Sequence, residues 1–168
     1  MQSSLTPFRV AVIGGGPAGL MAAQTLAQGG AQVDLYDAMP SVGRKFLLAG
    51  RSGMNITHAE AYADFVTRYG AGAARLKPML DAFGPRDVRE FVHGLGLETF
   101  VGTSGRVFPT DMKAAPLLRA WLHRLRESGV RFHQRHRWLG WRDDGALRFA
   151  VSGGAVARDG QGGGSAIA

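Results

Sequence analysis

The sequence predicts an α/β fold that opens with a strand, a tight glycine turn, a helix and a second strand. Three observations support this. An apolar, β-branched run over 9–13 leads directly into the glycine spacing G-x-G-x-x-G, and a second predicted strand over 33–37 ends at the acidic residue Asp37. A glycine-rich loop can show this spacing by chance. The order of strand, glycines, helix and acid is nevertheless typical of a dinucleotide-binding β–α–β unit, and so it predicts a Rossmann-like fold.

The glycine turn carries the predicted phosphate site. Gly14 allows the sharp turn out of the strand, Gly16 lets the backbone approach a pyrophosphate, and Gly19 lets the helix pack closely on the sheet. The helix start offers unpaired N–H groups and a positive dipole end to phosphate. Asp37 can accept hydrogen bonds from the adenosine ribose hydroxyls. The cofactor-binding residues predicted here are Gly14, Gly15, Gly16, Pro17, Ala18, Gly19 and Asp37.

Composition limits the class of protein. The 168 residues suffice for one domain with a core and include no cysteine, which excludes disulfide bridges, cysteine-ligated metal centres and a catalytic thiol. No apolar run approaches the roughly 20 residues of a membrane span, and the N-terminus lacks a signal-peptide pattern. We therefore expect a cytoplasmic protein. The five histidines show no ligand spacing with acidic residues, so we expect no metal site.

The net charge of +7 could indicate a nucleic acid partner. The densest basic stretch covers 131–137, where strand alternation would place Arg131, His133, Arg135 and Arg137 on one face. We interpret this face as a solvated strand surface. The expected partner is a small-molecule substrate, with neither nucleic acid nor membrane, and the oligomeric state is left open.

The middle of the chain predicts a small helical insertion. A helix over 17–28 and the second strand are followed by a loop over 38–53. Thr57 and Glu60 have the spacing of a capping box, which predicts a helix start at that point. Three stripes with the helical spacing i, i+3, i+4, i+7 follow, separated by glycine and proline. The insertion is therefore expected over about 57–96.

The second half predicts strands around one long helix. The expected elements are strands over 98–101 and 105–109, a helix over 113–128, a third parallel strand from Val130 beside strand two, and a β-hairpin around Asp144–Gly145. The domain is expected to cover 1–151. The remainder, 152–168, is expected to be a disordered glycine-rich tail.

Three further sequence blocks carry a family resemblance. They are Gly43–Leu47, Gly50–Thr57 and Gly102–Pro109. With the opening motif, they make residues 8 to about 150 resemble the N-terminal part of a bacterial NAD(P)/FAD-dependent flavoprotein family, whose members are described as aminoacetone-oxidase-like or as uncharacterised flavoproteins. The resemblance implies an oxidoreductase with FAD in the first nucleotide site, NAD(P)H as electron donor and a small organic substrate of unknown identity. It also implies that the glycine-rich stretch after Lys45 lies near the flavin.

The block after the second strand adds candidate phosphate contacts. Gly43, Arg44 and Lys45 follow the predicted ribose-binding strand, where backbone N–H groups and a cation could meet phosphate. A solvated basic turn is the alternative interpretation.

The next blocks add candidates near the flavin. Arg51, Ser52 and Asn55 lie in a loop that can bring backbone donors and an amide close to a planar ring. Capping of the next helix by Thr57 would explain part of this loop structurally. Arg106 has two interpretations. It could face an anionic substrate or the flavin, or it could be a surface residue of a strand. No side chain is predicted as a catalytic acid or base.

The predicted sheet is incomplete compared with the family. A domain of this type needs another strand after the hairpin, on the other side of strand one, and residues 152–168 contain no apolar run of that kind. Strand one is therefore expected at an exposed sheet edge. Two functions stay open. The chain is either the FAD-binding portion of an oxidoreductase or a truncated, non-catalytic dinucleotide-binding fragment.

Overall fold

The computed structural model describes residues 8–49, 53–152 and 165–167. The chain divides into two compact units. The first comprises Met1–Lys45 with His123–Ala168, and the second comprises Phe46–Leu122. Among the described residues, no helix is both long and apolar enough to cross a membrane.

Helices and strands alternate along much of the chain. In chain order they are β1 (Arg9–Ile13), α1 (Pro17–Gln28), β2 (Gln32–Asp37), α2 (Arg44–Ala49), β3 (Thr57–His58), α3 (Tyr62–Thr67), a 3-10 turn (Gly70–Gly72), α4 (Ala73–Ala82), α5 (Pro85–Gly94), β4 (Thr99–Val101), β5 (Arg106–Pro109), α6 (Ala114–Glu127), β6 (Arg131–Gln134), β7 (His136–Trp141), β8 (Leu147–Val151) and β9 (Ser165–Ile167).

A three-stranded parallel sheet forms the centre of the first unit. Its strand order is β1-β2-β6, so β2 is central, with Ala11 opposite Asp34 and Leu35 opposite Phe132. The four residues Val33–Tyr36 are all buried, as expected for a parallel strand covered on both faces. Helix α1 contributes the buried side chains of Leu20 and Ala23. The predicted α/β fold with a third parallel strand beside strand two is confirmed, and within the described part of the chain β1 lies at the edge of this sheet.

An antiparallel hairpin completes the first unit. β7 pairs with β8, and the turn between them includes Gly145 at φ 80° and an Asp144 side chain that accepts a hydrogen bond from the Ala146 N–H. The predicted hairpin is thus confirmed. β8 also pairs with β9, which lies within the stretch 152–168 that the sequence predicts to be a disordered glycine-rich tail. Residues 153–164 lie outside the described residues.

The second unit contains a small antiparallel sheet and short helices. The sheet has the order β3-β5-β4, and α3, α4 and α5 match the three predicted helical stripes. The predicted helix start at Thr57 is wrong. Thr57 lies in β3 opposite Val107 of β5, and the helix begins only at Tyr62 after Ala61. Pairing with a distant strand outweighs the local capping pattern here.

The stretch 38–53 is not entirely loop, which corrects a second prediction. After Gly43, which has φ 71°, the chain forms the short helix α2 from Arg44. This segment has good intrinsic helix propensity because it is rich in leucine, lysine, arginine and alanine.

The basic stretch 131–137 does not form one continuous strand face. β6 ends at Gln134, and Arg135 has φ 62°, which breaks the alternation before β7 begins. Arg131 and His133 do share a face, but both contact the buried carboxylate of Asp34. The interpretation as a purely solvated face is therefore wrong for these two residues.

Arg135 gives a first testable prediction about stability. Its backbone is in the left-handed region, which costs a residue with a Cβ about 1–2 kcal/mol, whereas glycine adopts it without steric cost. We expect Arg135→Gly to raise the free energy of unfolding by about 0.5–1 kcal/mol. The check is urea denaturation, with Arg137→Gly in β7 as the control. Arg137 is an ordinary strand residue, and its replacement should lower stability. Equal destabilisation by both substitutions would contradict the prediction.

Candidate functional site

The predicted phosphate turn connects β1 to α1. Gly14 follows the last residue of β1 with φ 103°, a conformation that L residues rarely adopt. Its N–H donates a hydrogen bond of 2.8 Å to the carbonyl oxygen of Tyr36. This bond fixes the start of the turn to the carboxyl end of β2, where the predicted ribose-binding acid lies.

Gly15 joins the turn to two other segments. Its N–H donates to Oδ2 of Asp37 at 2.7 Å, and its carbonyl oxygen accepts the N–H of Gly43 at 2.8 Å. The position is buried, and a Cβ there would lie 2.4 Å from Cγ1 of Val42 and 2.8 Å from Oδ2 of Asp37. Only glycine therefore fits unless Val42 and Asp37 shift. Val42 is a contact that the sequence motif did not reveal.

The start of α1 leaves backbone donors and open space. Gly16 is the N-cap residue, Pro17 occupies the first turn, and the helix's first hydrogen bond runs from the N–H of Leu20 to the carbonyl of Gly16. The N–H groups of Ala18 and Gly19 precede that bond and have no intrahelical partner. A Cβ on Gly16 would meet nothing within 4 Å. This surface is thus open to an anion, and the helix dipole favours negative charge there.

Gly19 allows close packing of helix and turn. A Cβ at this position would lie 1.8 Å from the carbonyl oxygen of Gly14, far inside van der Waals contact. The roles of Gly14, Gly16 and Gly19 in the geometry differ accordingly. Gly14 permits the turn, Gly16 leaves open space at the start of the helix, and Gly19 avoids a clash with the carbonyl oxygen of Gly14.

Backbone N–H groups hold Asp37 in place by donating a hydrogen bond to each of its two carboxylate oxygens. Oδ2 accepts the Gly15 N–H, and Oδ1 accepts the N–H of Met39, also at 2.7 Å. The side chain is half-buried. Because each carboxylate oxygen has two lone pairs, both retain capacity for another donor. The residue can therefore accept hydrogen bonds from sugar hydroxyls without leaving its present position.

The candidate phosphate cations lie directly after this cluster. Gly43 is tied to Gly15, and Arg44 and Lys45 follow it as the exposed first residues of α2. The structure thus brings together the glycine turn, Asp37 and the Gly43 backbone, and it places two cations next in the chain.

The remaining candidates are not joined to this cluster by any described contact. Arg51 and Ser52 lie outside the described residues. Asn55 belongs to the second unit, where its side chain is exposed and its N–H donates to the carbonyl of Gly53. It adjoins an apolar cavity of about 130 Å³ bordered by residues such as Phe91 and Trp121. Arg106 is exposed on β5 of the same unit.

A second polar cluster, not predicted from the sequence, centres on Asp34 in β2. This side chain is only 5% exposed, yet Nη2 of Arg131 lies 2.6 Å from Oδ2 and Nε2 of His133 lies 2.7 Å from Oδ1. Nη2 of Arg9 is 3.4 Å from Oδ2. Burial by itself raises the pKa of Asp34, but the hydrogen bonds from His133 and Arg131 and their charges outweigh it. The net effect lowers the pKa below its ordinary value.

The ring of Tyr36 adjoins this cluster. It stacks on His133 at 4.5 Å and on Phe149 of β8 at 4.3 Å between ring centroids. Burial, followed by the negative charge of Asp34, raises the pKa of the Tyr36 hydroxyl. The sequence signal for the cluster was an acid inside an apolar strand together with alternating basic residues in β6.

The parallel sheet, the glycine turn and the acid at the end of β2 define a Rossmann domain. Comparison with known families is consistent with this class, since residues 8–160 match the HI0933-like protein Rossmann domain. The chain belongs to the HI0933-like Rossmann domain family. This confirms the family resemblance stated from the sequence.

Solved structures show the same fold at low sequence identity. The 3-ketosteroid-delta4-(5alpha)-dehydrogenase from Rhodococcus jostii RHA1 matches with a TM-score of 0.62 and 15% identity over 98% of this chain and 45% of that chain. THI4 from Thermovibrio ammonificans matches with a TM-score of 0.55 and 19% identity over 86% of this chain and 48% of that one. The chain thus spans less than half the length of these structures.

Proposed function

We propose that this chain is the FAD-binding portion of a flavin-dependent oxidoreductase. The observation that carries the proposal is the cradle at the start of α1. There Gly16 leaves open space, the first helical N–H groups have no intrahelical partner, and Asp37 is fixed by two backbone donors. The cradle fits a pyrophosphate with an adjoining ribose. The flavoprotein resemblance and the dehydrogenase among the similar structures support FAD as the nucleotide and an oxidoreductase as the class.

Each candidate residue has a distinct role in this proposal. The N–H groups of Gly16, Ala18 and Gly19 bind the pyrophosphate, and Asp37 accepts the ribose hydroxyls. Gly14, Gly15 and Pro17 shape the turn. Gly43, Arg44 and Lys45 contribute phosphate or ribose contacts, and Arg51, Ser52 and Asn55 lie near the flavin.

When bound, FAD supplies the redox chemistry, here the transfer of electrons from NAD(P)H to a small organic substrate. The chain's own groups bind and orient the nucleotide, and no side chain is assigned as a general acid or base. The proposed protein is a cytoplasmic enzyme whose partner is a small molecule, with no role for nucleic acid or membrane.

A second candidate function is dinucleotide binding without catalysis. It is the alternative that the sequence leaves open, and the cradle at the start of α1 supports nucleotide binding equally in both cases. The two candidates differ in turnover. NAD(P)H oxidation by the FAD-loaded chain supports the oxidoreductase, whereas FAD binding without turnover supports the binding fragment.

The test of FAD binding uses absorbance spectra and titrations of the purified chain with FAD and with NAD. We expect FAD to bind more tightly than NAD. Gly16→Val should weaken FAD binding by at least about tenfold, because its side chain fills the surface that the pyrophosphate approaches.

Gly72→Val is the matched control. Gly72 is also a helix N-cap with φ near −80°, and a Cβ there meets only the far end of Leu76 at 3.8 Å. This variant should bind FAD like the unmodified chain, and both variants should keep their unfolding midpoints. A colourless chain that ignores both nucleotides would refute the proposed function.

A further inference from the structure

The turn between β1 and α1 is made of three consecutive glycines at 14–16, so neighbouring residues have to impose its shape. Glycine adopts a wide range of backbone conformations, and the glycine sequence does not by itself fix where the N–H groups of the turn point. The middle residue, Gly15, belongs to neither β1 nor α1. The contacts that hold Gly15 therefore determine the direction of the turn.

Three contacts hold Gly15. Its N–H donates to Oδ2 of Asp37 at 2.7 Å, and its carbonyl oxygen accepts the N–H of Gly43 at 2.8 Å. The third contact is the side chain of Val42, which is 3% exposed. Its Cγ1 and Cβ lie 2.4 Å and 2.7 Å from the place that a Cβ on Gly15 would occupy. Val42 therefore fills the side-chain space of Gly15 and packs against its Cα.

The hydrogen bond from Gly43 sets the direction of a proposed phosphate donor. The carbonyl of Gly15 and the N–H of Gly16 belong to one peptide group, which is planar and trans, so they point in opposite directions. With the carbonyl held toward Gly43, the N–H of Gly16 is held on the opposite side of the turn. This N–H is one of the proposed pyrophosphate donors.

Val42 and Gly43 hold the turn together. Gly43 has φ 71°, a conformation suited to glycine, and its N–H reaches Gly15 from this position. Val42 precedes it, and its burial against Gly15 keeps the segment after β2 in contact with the turn. Removing this side chain would open a cavity between the two segments. The peptide between Gly15 and Gly16 could then rotate away from its present direction.

We infer that Val42 is a positioning residue for the pyrophosphate, acting through Gly15 to direct the N–H of Gly16. This role rests on the proposed nucleotide-binding function and adds to it a residue outside the glycine motif. It concerns the phosphates, which meet the turn, and not the ribose, which meets Asp37. Asp37 keeps its hydrogen bond from the N–H of Met39 independently of Gly15.

The experiment compares ADP, which contains the pyrophosphate, with adenosine, which lacks it. The dissociation constants of both ligands are measured on the full chain by isothermal titration calorimetry. Complete loss of a hydrogen bond to a charged group corresponds to about tenfold to a hundredfold in affinity. In Val42→Ala the donor is misdirected but still present. We therefore expect the constant for ADP to rise at least about fivefold and that for adenosine to change less than about twofold.

The ratio of the two dissociation constants separates positioning from stability. A fraction of unfolded chain raises both constants by the same factor, so it leaves their ratio unchanged. Val130→Ala is the matched control, because Val130 is 4% exposed and lies just before the amino end of β6, whereas the turn lies at the carboxyl ends of the parallel strands. This variant should keep the ratio. Val42→Ile, which retains both γ carbons, should also keep it.

Val42→Cys covers the case in which Val42→Ala does not fold. Cysteine behaves as a small apolar residue, is often buried, and lacks the γ branch of valine. We expect its ratio of dissociation constants, ADP over adenosine, to rise at least about threefold, by the same loss of direction at Gly16.

The outcomes distinguish this role from the nucleotide site itself. An unchanged ratio in Val42→Ala, or in Val42→Cys where the alanine variant is unfolded, would overturn the role of Val42 and leave the nucleotide site standing. An equal change of the ratio in Val130→Ala or Val42→Ile would overturn it as well. Failure of the unmodified chain to bind ADP would instead refute the nucleotide site, and with it the role of Val42.

Discussion

Gly19→Val is expected to prevent stable folding of the first unit. Even a Cβ at this position would lie 1.8 Å from the carbonyl oxygen of Gly14, and neither a Cβ nor a backbone carbonyl can swing aside. α1 would have to move away from the turn and uncover Leu20 and Ala23, which are fully buried. Overpacking of this kind costs about 1–3 kcal/mol or more, and we expect at least about 3 kcal/mol because the obstruction is main chain. Such a loss is a large part of a typical domain's stability.

The measurement is urea denaturation followed by far-UV circular dichroism. Gly16→Val, three residues earlier on the same turn, is the matched control because open space surrounds that position. The two variants therefore separate fold from binding. Gly19→Val should lose structure, and Gly16→Val should keep structure while losing FAD affinity. Identical unfolding midpoints for the two variants would show that the close approach at Gly19 is not required.

Asp34→Asn is expected to lower the free energy of unfolding by about 2 kcal/mol near pH 7. Removing one member of a buried ion pair costs about 3–5 kcal/mol, and the figure is reduced here because both arginines are half exposed and screened by solvent. The substitution leaves the guanidinium groups of Arg9 and Arg131 close together without their shared counter-charge. Asp144→Asn in the exposed hairpin turn is the control and should leave the midpoint unchanged.

The lowered pKa of Asp34 predicts how its contribution to the free energy of unfolding depends on pH. The folded pKa of Asp34 is lowered from its ordinary value of 3.8, so the folded chain binds a proton at this carboxyl less readily than the unfolded chain. Its contribution to stability is therefore present above about pH 4 and is lost as the pH falls through the folded pKa. The stability difference between the unmodified chain and Asp34→Asn should be constant at neutral pH and shrink below about pH 4. A stability difference between the two chains that persists at lower pH would contradict a lowered pKa of Asp34.

The local parts of this fold could be predicted from the sequence, because their signals lie within a few residues of one another. The glycine spacing after β1 fixes the turn, Gly29 and Gly30 follow the end of α1, and Asp144–Gly145 marks the hairpin. At the candidate site, the turn and Asp37 were predicted for the same reason.

The missed features depend on residues that are far apart in sequence. Thr57 has the spacing of a helix cap, yet it pairs with β5 instead, and only tertiary structure decides between these alternatives. Asp34 and Arg131 are separated by 97 positions, so no local pattern reveals that they meet. The contact between Val42 and Gly15 is of the same kind. It arises from the path of the chain after β2.

The double backbone anchoring of Asp37 has a consequence for the energetics of ligand binding. A carboxylate that must be ordered on binding loses rotamer freedom at that moment, at a cost of about 0.5–1.5 kcal/mol for an immobilised side chain. In this chain the N–H groups of Gly15 and Met39 already hold both oxygens, so that entropy is lost during folding. A sugar hydroxyl that reaches Asp37 therefore meets a preorganised acceptor. Its hydrogen bond contributes to affinity without an offsetting loss of side-chain disorder.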